Sequence, residues 1–455
     1  MGAFHRKQDP TWRCYRAPVS QYSVLAILTA GCLASPATAD TETDVADAAI
    51  RTFAAQHGIP AAHVTLLRGD QVILQRGYTT SASAAGAAPD AASMFPAGSI
   101  SKQFTAAVIV SLADEGLLRL EAPVRDYLPE WFASEPELRI THLLSQTSGL
   151  ADFLWLDGYR PLADDPATPM AAYITLAADA PRRFAPGTRW AYSKTNYKAL
   201  ALIAERVAGR PFGDVLADRV LRPAGIDGIV ACHRLSSTQF VPGINADGKL
   251  TPLDASEAAY VGDGGLCTNA ASLSKWLRVV LAAGEVKWSR LAQTVTLTDG
   301  TRVPYGFGLS TREFLGRAMV WHGGNVDSHS ALIAYLPEAD LGIVILTARG
   351  FVWLTELLPA LVGSSSPERT RAAYVSIDGD FEDGLFRYVV APDGEDLQVE
   401  IDLIGKFRFV PAGQGEFIAE ELPATFRLRV PADGPGDRFE FDWGEVRSFA
   451  RRAKP

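Results

Sequence analysis

Between Gly98 and Gly116 the chain runs through seventeen residues without a glycine or a proline. Ile100, Phe104, Ala107, Val108, Val110 and Leu112 give this stretch a broad apolar surface at helical spacing. A helix apolar over so much of its girth needs cover on several sides, so it belongs at the centre of a domain. It opens with Ser99-Ile100-Ser101-Lys102. In a helix, Ser99 and Lys102 share one face. A serine hydroxyl is a poor nucleophile alone, and an adjacent amine can activate it.

The surrounding segments predict the layers. Asp44 to His57 reads as an amphipathic helix through Val45, Ala49, Ile50 and Phe53. His63 to Leu67 and Gln71 to Tyr78 read as a hairpin turning at Gly69-Asp70. Residues 81 to 93 read as an Ala- and Ser-rich loop, and Tyr197 to Ala208 as a further helix. Val320 to Gly324, Ser330 to Leu336 and Leu341 to Thr347 read as strands, the last two joined at Pro337-Glu338-Ala339-Asp340. Helices between early and late strands predict an α/β or α+β arrangement.

Gly363-Ser364-Ser365-Ser366-Pro367 begins a linker, placed at 363–370. Beyond it, at 371–455, short alternating runs separate Gly, Pro and Asp turns: Leu385 to Ala391, Leu397 to Asp402, Lys406 to Val410, Thr425 to Val430 and Arg438 to Asp442. They predict a small antiparallel β domain or barrel that packs against the first domain.

Residues 1–39 read as a cleaved export signal. Arg6, Lys7, Arg13 and Arg16 precede an apolar run from Val24 to Ala34, and Ala37-Thr38-Ala39 supplies the small-residue site. That run is too short for a membrane span. Thr29-Ala30-Gly31-Cys32 partly resembles a lipoprotein box, so a lipid anchor at Cys32 stands as an alternative. Export places the protein in the periplasm or outside the cell. A net charge of −9 with no basic stripe argues against nucleic acid as a partner. Only Cys232 and Cys267 lie past the signal, and a disulfide or two buried thiols both fit. The histidines show no metal-ligand spacing, so no metal or other cofactor is expected.

Three blocks follow in order: Phe95-Pro96-Ala97-Gly98-Ser99-Ile100-Ser101-Lys102, Pro186-Gly187-Thr188-Arg189-Trp190-Ala191-Tyr192-Ser193-Lys194-Thr195-Asn196-Tyr197, and His322-Gly323-Gly324. Between them stand Leu143 to Leu150, Gly264-Gly265-Leu266 and Tyr305-Gly306-Phe307-Gly308-Leu309. Together they resemble the serine β-lactamase/penicillin-binding-protein superfamily, in particular its class C-like branch of esterases, D-aminopeptidases and D-alanyl-D-alanine carboxypeptidases. The resemblance spans roughly 44 to 362 within a domain placed at 40–362. It implies a transpeptidase-like antiparallel sheet flanked by helices, with a helical subdomain and an appended lipocalin-like tail.

The resemblance also implies roles. Ser99 is the acylated nucleophile and Lys102 takes or orients its proton. Tyr192 is the general base and later the acid, and His322 stands where the family has Lys or His on a strand edging the site. Lys102 and, if protonated, His322 would favour the phenolate, the groups titrating as a coupled set with the proton assigned to no one residue. The N–H groups of Ser99 and Asn325, beside Gly324, form the oxyanion hole.

Two positions depart from the family pattern. Lys194 stands where Tyr-x-Asn has its asparagine, and it can only donate where a carboxamide also accepts. It either depresses the pKa of Lys102 or is driven into solvent, and Asn196 is not expected to replace the missing amide. Ser328-His329 stands in place of a Gly-Phe pair and is expected to reshape the pocket floor. The reading is a serine hydrolase acting on a small ester, amide or peptide. The alternative is a degenerate, non-catalytic envelope protein that binds a peptide or cell-wall fragment.

Overall fold

The computed structural model describes residues 37–363, except 81–86, 164, 166–167, 237, 246, 252–260, 280–289, 304 and 316, together with strand segments between 377 and 452. The expected export signal up to Pro36, Cys32 and nearly all of the linker lie outside the described residues. The chain divides into two compact units, Met1–Thr41 and Glu42–Pro455, and the sheet and the barrel both belong to the second.

The segment around Ser99 begins as a single tight turn, Gly98–Ile100, and continues as helix α2, Ser101–Asp114. Every residue from Ser101 to Val110 is buried, as its all-round apolarity requires. Phe104 is wholly enclosed and stacks on Trp276 at 4.4 Å. Its truncation to alanine should cost about 3–5 kcal/mol.

The main sheet collects strands from both ends of the hydrolase part. Helix α1, Ala37–Gln56, precedes β1, Ala61–Arg68, and β2, Gln71–Thr79. The later strands are β3, Ser310–Phe314, β4, Arg317–Val326, β5, His329–Leu336, and β6, Leu341–Thr347. Their order is β3-β4-β5-β6-β1-β2, antiparallel throughout, with β6 closing on β1 through pairs such as Val64 and Ile345. Side chains alternate between two cores. Ile333, Val344 and Leu346 face α2 and helix α3, Lys194–Ala208, whereas Leu332, Ile343 and Ile345 face α1. With helices on both faces, β6 is buried at every position.

The hairpin, the three late strands and the central helix therefore lie where periodicity puts them. Helix α3 starts three residues earlier than expected. The backbone N–H of Lys194 donates to the Asp152 carboxylate at 3.0 Å, so a distant loop stabilises that helix end.

The tail is a closed antiparallel barrel of eight strands, Gly379–Glu382, Arg387–Asp393, Asp396–Ile401, Gly405–Gly413, Glu416–Ala419, Phe426–Arg429, Arg438–Trp443 and Arg447–Arg452. Inward residues such as Tyr388, Leu397, Phe409, Phe439 and Phe441 pack against one another inside it. Trp353 packs against this core, and Arg451 pairs with Asp299 at 2.7 Å. No helix among the described residues is long and apolar enough to cross a membrane.

Candidate active site

The tight turn at the head of α2 fixes Ser99. Gly98 adopts φ +51°, and a Cβ there would stand 2.8 Å from the Asn325 nitrogen. Only glycine lets this turn press against β4. Ser99 opens onto a cleft of about 610 Å³, which Lys194, Asp263, Gly264, Asn325, Tyr159 and Phe351 also line.

Beneath the cleft floor, Lys102 is fully buried. Its Nζ donates to the Ser99 Oγ at 3.3 Å and to the Asp263 carbonyl at 2.5 Å. It lies over the Tyr192 ring, 4.9 Å from the centroid. Burial pulls its pKa down to about 7, Asp263 and Asp152 oppose that shift, and Lys194 and Lys198 reinforce it. The amine is therefore poised between its two protonation states at neutral pH.

Tyr192 is enclosed with Trp190, Leu297, Val303 and Tyr305. Its hydroxyl makes no hydrogen bond of regular geometry, although Ser99 lies close enough to favour its phenolate slightly. Burial outweighs that contact and pushes the phenol well above its ordinary range. Burial thus favours the protonated hydroxyl and works against the phenolate that a nearby cation would favour.

Burial acts on His322 as well, and the condition that it be protonated is not met. Burial lowers its pKa to about 3, so the ring is neutral and is not a cation. Its Nδ1 lies 2.6 Å from the Gly323 carbonyl, which can only accept, so Nδ1 carries the hydrogen. Nε2 then accepts from the Tyr305 hydroxyl at 3.1 Å. His322 lies 6.4 Å from Tyr192 between ring centroids, and, like Tyr192 and Lys102, it sits beneath the residues that line the cleft.

Asn325 is opposite Ser330, one step beyond the Val326–His329 pair that closes the β4–β5 hairpin. Hydrogen-bonded and non-hydrogen-bonded pairs alternate in such a ladder. The Asn325 N–H therefore points away from β5, toward Gly98 and Ser99. Gly324 lies against the same turn, where a Cβ would meet the Ala97 carbonyl at 2.0 Å.

Of the two outcomes foreseen for Lys194, its charge acts on Lys102, and it is not driven out into solvent. It lines the cleft with its side chain 28% exposed, and its charge still helps to depress Lys102. Its Nζ lies 3.9 Å from the Asp152 carboxylate. Asn196 points elsewhere, donating to Gln146 at 2.5 Å and accepting from Ser148 at 2.6 Å. Ser328 and His329 are buried outside the cleft, where His329 bridges Ser328 and the Val241 carbonyl. They do not form its floor, contrary to expectation. Cys232 and Cys267 are joined as a disulfide across a sequence separation of 35, and Cys232 lines the cleft.

Sequence reasoning missed Asp263, Lys198 and Asp152. Asp263 immediately precedes Gly264-Gly265, and Lys198 lies one turn beyond Lys194, so both were within reach of the motifs. No group of three or more His, Cys, Asp or Glu side chains among the described residues could hold a metal ion.

A family model described as Beta-lactamase matches residues 46–352. The D-aminopeptidase of Brucella canis is 28% identical over 270 residues, covering 58% of this chain and 52% of that protein. The chain thus spans about half the length of the curated relatives it matches. The octameric penicillin-binding protein homologue from Pyrococcus abyssi superposes with a TM-score of 0.62 at 19% identity, over 90% of this chain and 100% of that one. The D-amino acid amidase from Ochrobactrum anthropi SV3 gives 0.60 at 16%, over 71% and 98%. At these identities the two structures establish a shared fold.

Proposed function

The chain belongs to the beta-lactamase family, and from that premise we propose that it is a serine hydrolase cleaving small amides or esters through an acyl-Ser99 intermediate. The observation that carries this reading is the Lys102 amine, 3.3 Å from the Ser99 hydroxyl with its pKa near 7. A neutral amine at that distance can accept the serine proton at physiological pH.

The steps follow from the positions. Ser99 Oγ attacks the substrate carbonyl carbon while its proton passes to Lys102 Nζ. The resulting oxyanion sits between the N–H groups of Ser99 and Asn325. Losing one such donor typically costs about 100- to 1,000-fold in rate. Collapse breaks the bond to the leaving group, which takes a proton from the Tyr192 hydroxyl. The Lys102 ammonium then reprotonates Tyr192. Water attacks the acyl-Ser99 carbonyl by the same route in reverse, releasing the acid and restoring the serine. His322 and Tyr305 brace the Tyr192 ring and take no proton in this scheme.

The named D-aminopeptidase and D-amino acid amidase relatives favour an amide substrate. No comparison supports the non-catalytic alternative. We also propose export through residues 1–39, with a hydrolase domain at 40–362 and a barrel domain at 371–455 joined by 363–370. The Cys232–Cys267 disulfide suits an oxidising compartment. A panel of p-nitrophenyl esters, D-amino acid amides and a cephalosporin, run on wild type and S99A, tests the enzymatic reading. Turnover of at least one class that vanishes in S99A supports it; turnover of none, or turnover that survives in S99A, refutes it.

A further inference from the structure

Lys198 and Asp263 lie outside the motif blocks, yet their side chains are 0% and 2% exposed and pair at 3.2 Å. A buried ion pair is weak evidence for stability, because apolar replacements of similar volume often serve as well. This pair, however, stands one peptide away from the site. The Asp263 carbonyl takes a hydrogen bond from Lys102 while its carboxylate meets Lys198. The turn that carries Asp263 is clamped between two helices. Thr105 of α2 donates to the Gly262 carbonyl at 2.6 Å. Against α3, Gly262 sits at φ +112°, where a Cβ would be 2.8 Å from the Tyr197 carbonyl oxygen. Lys198 also lies 4.9 Å from the Tyr173 ring centroid, which fixes the ammonium from its other side.

We propose that Lys198 is a positioning residue that acts through Asp263, fixing the carbonyl that holds Lys102 against Ser99 and offsetting the carboxylate charge beside it. The inference rests on the roles given above to Ser99 and Lys102.

Several groups face Lys102. Asp263 approaches from its turn, Asp152 from the loop that meets the start of α3, and Lys194 and Lys198 from α3 itself. Ser99, the rings of Tyr192 and Tyr197, and the neutral His322 complete the surroundings. The two aspartates favour the Lys102 ammonium, and the two lysines oppose it. Removing Lys198 leaves the Asp263 charge unbalanced and raises the Lys102 pKa. Removing the Asp263 charge lowers it. Shifts of opposite sign report the charges of the pair acting on Lys102, an effect that substitutions merely loosening the local fold would not produce.

The test is the pH profile of kcat/KM for p-nitrophenyl acetate in wild type, K198M, K198R and D263N, with S99A as control. The acidic midpoint should rise by about one pH unit in K198M and fall by about one in D263N. K198R should return it to the wild-type value. Midpoints that stay fixed while rates drop, or that move the same way in K198M and D263N, overturn the proposal. Should K198M fail to fold, an unmoved or raised midpoint in D263N does so alone. Absence of wild-type turnover, or turnover persisting in S99A, would instead refute the assignment of Ser99 on which the inference rests.

Discussion

The Nζ of Lys102 stands 3.3 Å from the Oγ of Ser99, inside a protein wall that leaves the amine no contact with water. Burial that strips a lysine of its hydration makes it a base at neutral pH. K102M should lower kcat by about 100- to 10,000-fold. It should do so without lowering the Tm, since methionine removes a buried charge while keeping most of the volume. Steady-state kinetics and a thermal melt on the same preparation check both halves. A large loss of Tm would mean that the lysine is chiefly structural.

Lys194 lines the cleft, and its charge helps to hold the Lys102 pKa down. K194N removes that cation, so the acidic limb of the rate profile should move to higher pH. Activity at pH 6 should fall more than activity at pH 8. An unchanged profile would show that solvent and Asp152 already cancel the Lys194 charge.

The protonated state of Tyr192 suits it to donating to a leaving group. p-Nitrophenolate leaves without a proton, whereas an alkyl amine cannot. Y192F should therefore reduce turnover of an alkyl amide about 100-fold or more and that of a p-nitrophenyl ester far less. Equal losses on both substrates would place Tyr192 in the attack step instead.

Much of the fold was legible because periodicity reports burial directly. The strands of the main sheet and the apolar girth of α2 are written in residue spacing, and the order of the motif blocks carried the family. The charge states were not legible. Tyr192 and His322 read as a phenolate and a cation only while their neighbours are unknown. Their actual surroundings, Leu297, Val303 and Tyr305 among them, come from segments distant from the Tyr192 block and enclose both rings. Lys198 and Asp263 look like solvated positions in sequence, and only the packing of the 262–263 turn on α3 buries them. Three barrel strands, Gly379–Glu382, Glu416–Ala419 and Arg447–Arg452, are too short or too polar to show alternation.

Away from the cleft, Glu356 is half-buried with its carboxylate 3.5 Å from His57, and desolvation pushes its pKa up to about 7 from 4.5. The folded state thus holds this proton more tightly than the unfolded chain does. The associated stability is fully present below pH 4.5 and is lost as pH rises through 7. E356Q should remove that dependence, on the order of 2–3 kcal/mol between pH 4.5 and 8. Urea unfolding of both proteins across that range measures it, and parallel curves would count against the assignment.

The most direct test of the account is covalent labelling of the folded protein with a fluorophosphonate, mapped by mass spectrometry and followed against pH. A single adduct on Ser99 is expected, formed at a rate that rises through a midpoint near pH 7 as Lys102 loses its proton. An adduct on another residue, no adduct at all, or a Ser99 rate indifferent to pH between 5 and 9 would contradict it.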